Sequence, residues 1–319
     1  AEVAIALLAK GADGNTKDTL KDNIDGCGGD SRKRDGAVVA DGHAGGATSD
    51  VFLIDFHKME AMVFALDKVN NMTDILPNIT LGFAIHDTCG KKTIALDKAI
   101  SELEFYRQMS SEQQHKPCNV SDISDTGQRY TTSTTIGALG PQWSSISTDV
   151  SRVYSVFHRP TLSYLSTSDE LSDPDEFPYF LRVVPPDRYQ IRAILDILDR
   201  FNWTSVSFVY TDDSYGRKAL QFFKKQTVKE REDGRLCIAG EFGVDSTLNN
   251  SNYDDIVGKI LQKYGHNRVV ILFTHAAYAK MFLQAMNRTP GARDLQLIGS
   301  DAWGRTLQEL GQEAGIASG

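Results

Sequence analysis

Apolar residues in this chain alternate between short continuous runs and longer stretches with helical spacing. The first run, 3–8, ends at a Lys-Gly pair and is typical of a buried strand of a parallel sheet. The next apolar stretch, which opens at Ser49-Asp50, recurs every three or four residues and predicts a helix. Further strands are predicted at 79–85, 135–139, 161–165, 205–210, 236–242, 268–273 and 295–299, and helices at 91–109, 144–157, 188–201, 217–227, 253–264 and 276–286.

This alternation predicts an α/β fold built from βαβ units, and a length of 319 residues favours two lobes over one. Ligands of such sheets bind beyond the carboxyl ends of the strands. Several of these ends carry small hydroxyl residues that lead into a helix, where backbone N–H groups and the helix dipole favour an anion. The sequence therefore predicts a carboxylate ligand at the strand ends 140–145, 166–169, 210–216, 273–276 and 300–303.

The composition and charge of the chain limit the kinds of function that it can have. A formal charge of −8 and a pI near 5.4 argue against a nucleic-acid partner, whose phosphates require a basic face. No apolar run approaches the ~20 residues that span a bilayer. The chain begins at Ala1 without a charged and apolar leader, so we expect that a signal peptide has been removed and that the chain is one piece of a larger membrane protein.

Signals for catalysis and for metal or cofactor binding are missing from the sequence. The seven histidines are dispersed, and none lies in a GxSxG or HExxH motif. The Gly-rich stretch 26–46 lacks the spacing of a phosphate-binding loop. The cysteines form neither a CxxC pair nor a Cys/His ligand pattern. We therefore expect no enzyme activity, no cofactor and no metal site.

Asn-x-Ser/Thr triplets indicate a secreted protein whose surface edges carry glycans. The four cysteines favour scattered disulfides over a metal site, and three pairings are possible. The acceptor asparagines are Asn71, Asn78, Asn119, Asn202, Asn249 and Asn287, and the cysteines are Cys27, Cys89, Cys118 and Cys237.

An ordered set of short motifs then makes the chain recognisable. In this order and spacing the motifs resemble the ligand-binding domain of class C G-protein-coupled receptors, most closely metabotropic glutamate receptors. They are Gly140-Pro141 with Ser144-Ser145, Ser166-Thr167-Ser168, FLRVVPPD at 180–187, Phe201-Asn202-Trp203-Thr204 and Asp213-Ser214-Tyr215-Gly216, extended by LPNITLG at 76–82 and LIGSDAW at 297–303.

The resemblance implies a bilobed Venus-flytrap of the periplasmic-binding-protein-like type I, with two doubly wound parallel-sheet lobes that close on an L-α-amino acid. The lobes are expected at 1–184 and 185–319. The implied ligand residues are Ser144, Ser145 and Thr167 for the carboxylate, and Asp187, Tyr215 and Asp301 for the ammonium end.

Each of these residues also has a simpler interpretation. Ser144, Thr167 and Asp187 are residue types that often cap helices. Tyr215 and Asp301 are predicted in loops, where they would be ordinary surface residues if they bound no ligand.

Lys58 stands where the family usually has an arginine for the ligand's side-chain carboxylate. A lysine is a point charge without the bidentate fork of arginine, so glutamate is favoured less strongly than in the family. Trp143 and Leu165 also replace small hydroxyl residues. Another amino acid is therefore the alternative ligand, and a solvated helix face is the alternative role of Lys58.

The resemblance also implies the partners. Cys27 and Cys89 match a disulfide within the first lobe, Cys118 a bridge between the subunits of a homodimer, and Cys237 a link to a cysteine-rich domain. The resemblance further implies a seven-helix membrane domain and a G protein as partners. The present chain would lie on the extracellular face of the plasma membrane. The rival hypothesis is a stand-alone amino-acid-binding protein of the periplasmic type, which the glycosylation triplets and the two remaining cysteines disfavour.

Overall fold

A computed structural model describes residues 3–11, 24–25, 49–114, 134–229, 236–263, 268–304 and 315. The chain divides into two compact units. The first contains Ala1–Ser166 and Asp173–Val184, and the second contains Thr167–Ser172 and Pro185–Gly319. The chain therefore passes between the units three times, after Ser166, Ser172 and Val184.

The first unit is built on a six-stranded sheet in the order β2-β3-β1-β4-β5-β6. Three helices alternate with its strands. The strands are β1 (Val3–Gly11), β2 (Ile24–Asp25), β3 (Ile79–Asp87), β4 (Thr134–Leu139), β5 (Thr161–Ser163) and β6 (Phe180–Arg182), and the helices are α1 (Ser49–Asn70), α2 (Lys92–Gln114) and α3 (Ser144–Val156).

The direction of β1 differs from the sequence prediction. β1 pairs antiparallel with both of its neighbours, β3 and β4, whereas β2–β3, β4–β5 and β5–β6 are parallel. A continuous apolar run indicates a strand that is buried on both faces, but it contains no information about the strand's direction. The prediction of β1 as a strand is therefore confirmed, and the prediction that it runs parallel is wrong.

The described core of the first unit lies between α2, α3 and β4. Small alanines on α2 and hydroxyl residues on α3 allow these two helices to approach closely. The buried apolar residues are Ala95, Ala99, Leu103, Ala138, Ile146, Val150 and Tyr154. On α3, Ser144, Ser145, Ser147, Thr148 and Ser151 are buried as well. Buried hydroxyl groups need hydrogen-bond partners, and these partners shape the candidate site below.

The second unit is built on a parallel four-stranded sheet in the order β10-β9-β7-β8. A helix follows each strand, and the sequence pattern predicts all of these helices except the short one after the last strand. The strands are β7 (Ser205–Thr211), β8 (Cys237–Val244), β9 (Val269–Phe273) and β10 (Gln296–Gly299), and the helices are α4 (Asp187–Arg200), α5 (Ser214–Lys229), α6 (Asn250–Lys263), α7 (Ala276–Arg288) and the short α8 (Asp301–Gly304).

Helices cover both faces of this sheet. Along β9, Val269, Ile271 and Phe273 pack with residues of α4 and α5, whereas Val270 and Leu272 pack with residues of α6 and α7. All five residues of β9 are buried, because successive side chains of a strand point to opposite faces and both faces are covered. The predicted α/β class with doubly wound sheets is confirmed.

Helix α4 shows how local sequence positions the site. Its apolar residues Ile191, Ile194, Leu195 and Leu198 form one buried stripe. The helix ends at Arg200, and two residues later Asn202 has a positive φ of 54°, the left-handed conformation that asparagine tolerates. Backbone N–H groups of Asn202 and Trp203 then donate to the carbonyls of Asp199 and Leu198.

One short segment belongs to a different unit from the one that the sequence indicates. Thr167–Ser172, placed in the first lobe by the boundary at 184, packs with the second unit. Its Ser168 hydroxyl lies 3.3 Å from the hydroxyl of Ser214, and the Ser214 hydroxyl donates to Glu170 at 2.7 Å. Such contacts between residues far apart in sequence are not visible in a local pattern.

Among the described residues, no helix is long and apolar enough to cross a membrane. The described sheets contain two very short strands that the sequence pattern missed, β2 and β6. Runs of two or three residues are too short for a periodicity to be recognised.

Candidate ligand-binding residues

Ser144 and Ser145 occupy the first two positions of α3, and both are buried. The N-cap of this helix is Trp143, which makes no side-chain capping bond. The interpretation of Ser144 as a helix cap is therefore wrong. The first turn of a helix presents N–H groups that the helix itself does not satisfy, so hydroxyl groups at this place suit an anion.

The turn before α3 is held by a network of neutral hydrogen bonds. The Pro141 carbonyl accepts bonds from the hydroxyls of Ser147 at 3.0 Å, Ser163 at 2.6 Å and Ser166 at 3.3 Å. Ser147 and Ser166 also bond each other, with 2.7 Å between their oxygens. All three serines are buried, so the network fixes the start of α3 against the end of β5.

Lys58 lies beside the same turn. Its ammonium donates to the side-chain oxygen of Gln142 at 2.7 Å, across 84 residues of sequence. The lysine is half-buried rather than fully solvated. The ring of the neighbouring Trp143 packs over Gly90, where an added Cβ would lie 3.1 Å from the indole. In the first unit, Gln142 is therefore bonded to a positive charge and is followed in sequence by a packed indole.

In the second unit, two carboxylates share one amide. The side-chain nitrogen of Gln190 donates to Asp301 at 3.0 Å and to Asp187 at 3.4 Å. The Gln190 oxygen accepts the backbone N–H of Asp301 at 2.7 Å. Asp187 is buried and Asp301 is half-buried. A pair of carboxylates with neutral donors around them is suited to an ammonium group.

Asp187 and Thr167 are joined through the backbone. The N–H of Asp187 donates to the carbonyl of Thr167 at 2.8 Å. Pro186, not Asp187, is the N-cap of α4, so the interpretation of Asp187 as a cap is wrong. As the first residue of α4, the Asp187 carboxylate still interacts favourably with the helix dipole.

Tyr215 adds a neutral donor and an aromatic face to this cluster. Its hydroxyl donates to Asp301 at 3.4 Å, and its ring lies 4.6 Å from the ring of Phe273 and 5.2 Å from that of His275. Burial raises the pKa of Tyr215 well above its ordinary value, and the charges of Asp187 and Asp301 raise it further. The phenol therefore stays protonated and able to donate at neutral pH.

The position of Tyr215 is set by its neighbours at the start of α5. Asp213 accepts the N–H of Gly216 at 3.1 Å, as an N-cap side chain does, and its second oxygen lies 3.0 Å from the imidazole of His275. Gly216 packs tightly on β7, since an added Cβ would lie 2.1 Å from the Thr211 carbonyl oxygen. Tyr215 is thus held between a capped helix start and a stacked histidine.

Four predicted residues of the second unit, Thr167, Asp187, Tyr215 and Asp301, are therefore brought together within that unit. Ser144, Ser145 and Lys58 gather at one turn of the first unit. Sequence reasoning missed Gln142, Gln190 and His275. Glutamine has neither charge nor a motif, so only its long-range contacts reveal it, whereas His275 could have been suspected from its place directly after a predicted strand end.

The cysteines and glycosylation triplets are partly described. Cys89 is disulfide-bonded, and Cys237 is free and exposed. Cys27, Cys118 and Asn119 lie outside the described residues. The other acceptor asparagines are all exposed: Asn71, Asn78, Asn202, Asn249 and Asn287. Among the described residues, no group of three or more His, Cys, Asp or Glu side chains is placed to hold a metal ion.

The first unit thus holds buried hydroxyls at the start of a helix, a place that suits an anion, and the second unit holds a pair of carboxylates. The family model described as receptor family ligand binding region matches residues 57–317. The chain belongs to this family of receptor ligand-binding regions.

Curated relatives agree with that assignment. A metabotropic glutamate receptor of Drosophila melanogaster is 36% identical over 264 residues, which cover 82% of this chain and 26% of the relative. Metabotropic glutamate receptor 4 of Macaca fascicularis is 33% identical over 263 residues, 82% of this chain and 28% of the relative. The predicted resemblance to the ligand-binding domain of metabotropic glutamate receptors is confirmed. The chain spans little more than a quarter of the length of these relatives.

Proposed function

We propose that this chain is the extracellular amino-acid-binding domain of a receptor of the metabotropic glutamate type. The observation that carries the proposal is the cluster in the second unit in which Asp187 and Asp301 share one amide and Tyr215 donates to Asp301. Paired carboxylates beside a neutral phenol suit an α-ammonium group, because carboxylates accept strong charge-assisted hydrogen bonds from it. Similarity over 82% of the chain to receptors named for glutamate supports the same ligand class.

The ligand carboxylate binds at Ser144 and Ser145, with the hydroxyl of Thr167 as a further donor. The start of α3 suits this role because its buried hydroxyls lie at the positive end of the helix dipole. The ammonium binds Asp187 and Asp301, and the ring of Tyr215 covers it. These assignments use groups from both units, so an amino acid favours the closed form of the domain.

Lys58 reads the side chain of the ligand and favours an acidic amino acid, glutamate above all. Support comes from its half-buried position and from its bond to Gln142, which holds the ammonium beside the turn that leads into Ser144. A single lysine attracts a carboxylate without the two parallel hydrogen bonds of an arginine, so we expect moderate selectivity.

In the full receptor, closure of the domain signals through a cysteine-rich domain and a seven-helix membrane domain to a G protein. The receptor is a homodimer that is linked through Cys118, and Cys237 bonds the cysteine-rich domain. The exposed thiol of Cys237 is accessible for such a bond. Glycans on the exposed asparagines fit an extracellular segment.

The test is calorimetry of the secreted, glycosylated ectodomain with a panel of L-amino acids. We expect binding of L-glutamate and weaker binding of neutral amino acids. Asp301→Asn keeps the shape of the side chain and removes its charge, so it should weaken all amino acids together. Lack of binding by any amino acid to the folded wild-type protein would overturn the proposal.

The dimer is tested separately by non-reducing electrophoresis. We expect a dimer band for wild type and a monomer band for Cys118→Ser. A monomer band for wild type, or a dimer that persists in the variant, would contradict the covalent link.

A further inference from the structure

Gln190 connects two loops that are far apart in sequence. It lies on the first turn of α4, three residues after Asp187, and it reaches Asp301 across 111 residues. Both groups of the amide are used there, since its nitrogen donates to the two carboxylates and its oxygen accepts a backbone N–H. The amide of Gln190 thus bonds both Asp187 and Asp301.

The orientation of this amide is determined by its surroundings. The backbone N–H of Asp301, 2.7 Å away, can only donate, so the Gln190 oxygen must face it. The nitrogen then faces Asp301 at 3.0 Å and Asp187 at 3.4 Å. In the flipped amide, the oxygen would oppose two negatively charged groups. The structure therefore has one favourable orientation, with the donor aimed at the carboxylates.

Such an amide has two physical effects on the carboxylates. Its N–H groups lie between two like charges and reduce their repulsion without adding a charge of their own. Its oxygen holds the first backbone N–H of α8 and so fixes the loop that carries Asp301. Tyr215 donates to the same Asp301 oxygen at 3.4 Å, which further restricts the rotamer of that side chain.

We propose that Gln190 is a positioning residue that sets the spacing and orientation of Asp187 and Asp301 for a ligand ammonium. This inference rests on the proposed function and deepens it, since it names what makes the carboxylate pair specific for a primary ammonium. Gln190 acts through the two aspartates. Its amide is needed as a neutral donor and acceptor, and a negative charge at the same place cannot replace it.

The decisive variant is Gln190→Glu, measured by calorimetry on the secreted ectodomain with L-glutamate and L-alanine. An additional negative charge alone would strengthen the binding of an ammonium. Loss of the bridging donor would weaken it, and we expect about 10- to 100-fold weaker binding near neutral pH, the size of lost hydrogen bonds to charged groups.

The pH dependence of ligand affinity distinguishes a positioning role of Gln190 from a general effect of added negative charge. A protonated carboxyl group has one donor and one acceptor, so it can replace both the Gln190 oxygen and one N–H. Neighbouring carboxylates make this protonation easier. The ratio of wild-type to Gln190→Glu affinity should therefore fall as the pH is lowered towards about 5. Gln190→Met, which has a similar shape and no such groups, should show a loss that no pH restores.

Gln221→Glu is the matched control. This variant adds the same charge at an exposed position on α5 of the same unit. Its affinity for L-glutamate and L-alanine should therefore equal that of wild type. If wild type binds and Gln190→Glu binds as tightly or more tightly at every pH, the positioning role is wrong while the proposed function stands. If wild type binds no amino acid, the proposed function itself fails. Unfolding of both Gln190 variants would also overturn the inference, because Gln190 would then be a structural residue.

Discussion

The two groups of candidate ligand residues are held by different kinds of hydrogen bonds. In the first unit, neutral hydroxyls of Ser147, Ser163 and Ser166 converge on one backbone carbonyl. In the second unit, charged Asp187 and Asp301 share the amide of Gln190. Neutral bonds contribute about 0.5–1.5 kcal/mol each and bonds to charged groups about 1.5–3 kcal/mol. We therefore expect the hydroxyl network of the first unit mainly to stabilise a turn. We expect the carboxylate cluster of the second unit mainly to provide negative charge for binding a ligand.

This difference predicts a division of effects. Substitutions in the hydroxyl network should lower stability more than affinity, and substitutions in the carboxylate cluster should do the opposite. Measuring the free energy of unfolding and the ligand affinity on the same variants tests the division directly.

The largest effect is expected for Asp301→Ala, which removes one of the two charges for the ligand ammonium. The loss in binding should be about 2–5 kcal/mol, because the ammonium then keeps only Asp187 as a charged partner. Ser144→Ala, by contrast, removes one neutral hydroxyl and should cost about 0.5–1.5 kcal/mol. Calorimetry with L-glutamate checks both values. Equal losses would show that the two groups do not differ in the way described.

The next effect is expected for Ser147→Ala in the first unit. This change removes one donor to the buried Pro141 carbonyl and breaks the hydrogen bond between Ser147 and Ser166, so the free energy of unfolding should fall by about 1–3 kcal/mol. Urea unfolding measures the loss. The exposed Ser101→Ala on α2 of the same unit is a control and should change stability little. A full loss of ligand affinity with unchanged stability would contradict the structural role.

A smaller effect is expected for Lys58→Ala, which tests side-chain recognition. Loss of a half-buried charge should weaken L-glutamate by roughly 1 kcal/mol and leave L-alanine nearly unchanged. Lys68→Ala, near the exposed end of the same helix α1, serves as the charge-matched control. If Lys58→Ala weakens both ligands equally, Lys58 does not read the ligand side chain.

The smallest effect concerns Tyr215 at alkaline pH. Burial raises the pKa of Tyr215, so the folded state holds this proton more tightly than the unfolded state does. Its contribution to stability is complete below the unfolded pKa of about 10 and is lost as the pH rises through the folded value. Tyr215→Phe should therefore reduce the alkaline loss of unfolding free energy, while Tyr189→Phe at an exposed site should not. Identical alkaline profiles for wild type and Tyr215→Phe would contradict this assignment.

The sequence predicts the helices and strands better than it predicts how they are arranged in the sheets. The stripe of Ile191, Ile194, Leu195 and Leu198 has helical spacing and appears as a buried helix face, because local periodicity reflects burial directly. The antiparallel direction of β1 is not contained in such a pattern.

Residues of the candidate site divide in the same way: those in a local motif are predicted from the sequence, and those defined by distant contacts are not. Tyr215 and Asp301 are found from motifs at strand ends, where parallel sheets bring ligand residues together. Gln190 is found only from its contact across 111 residues, since a glutamine on a helix surface has no local signal. The packing of Thr167–Ser172 with the second unit depends on similar distant contacts.

The close approach of Gly216 to β7 has a consequence for how this domain can diversify. Any side chain there would press on the backbone of the preceding strand end and displace the tyrosine next to it. A random library over 213–217 would therefore consist mainly of damaged proteins. Lineages that acquire new ligands, and laboratory selections that imitate them, should keep this glycine and vary the turn around Gln142 and Lys58 instead.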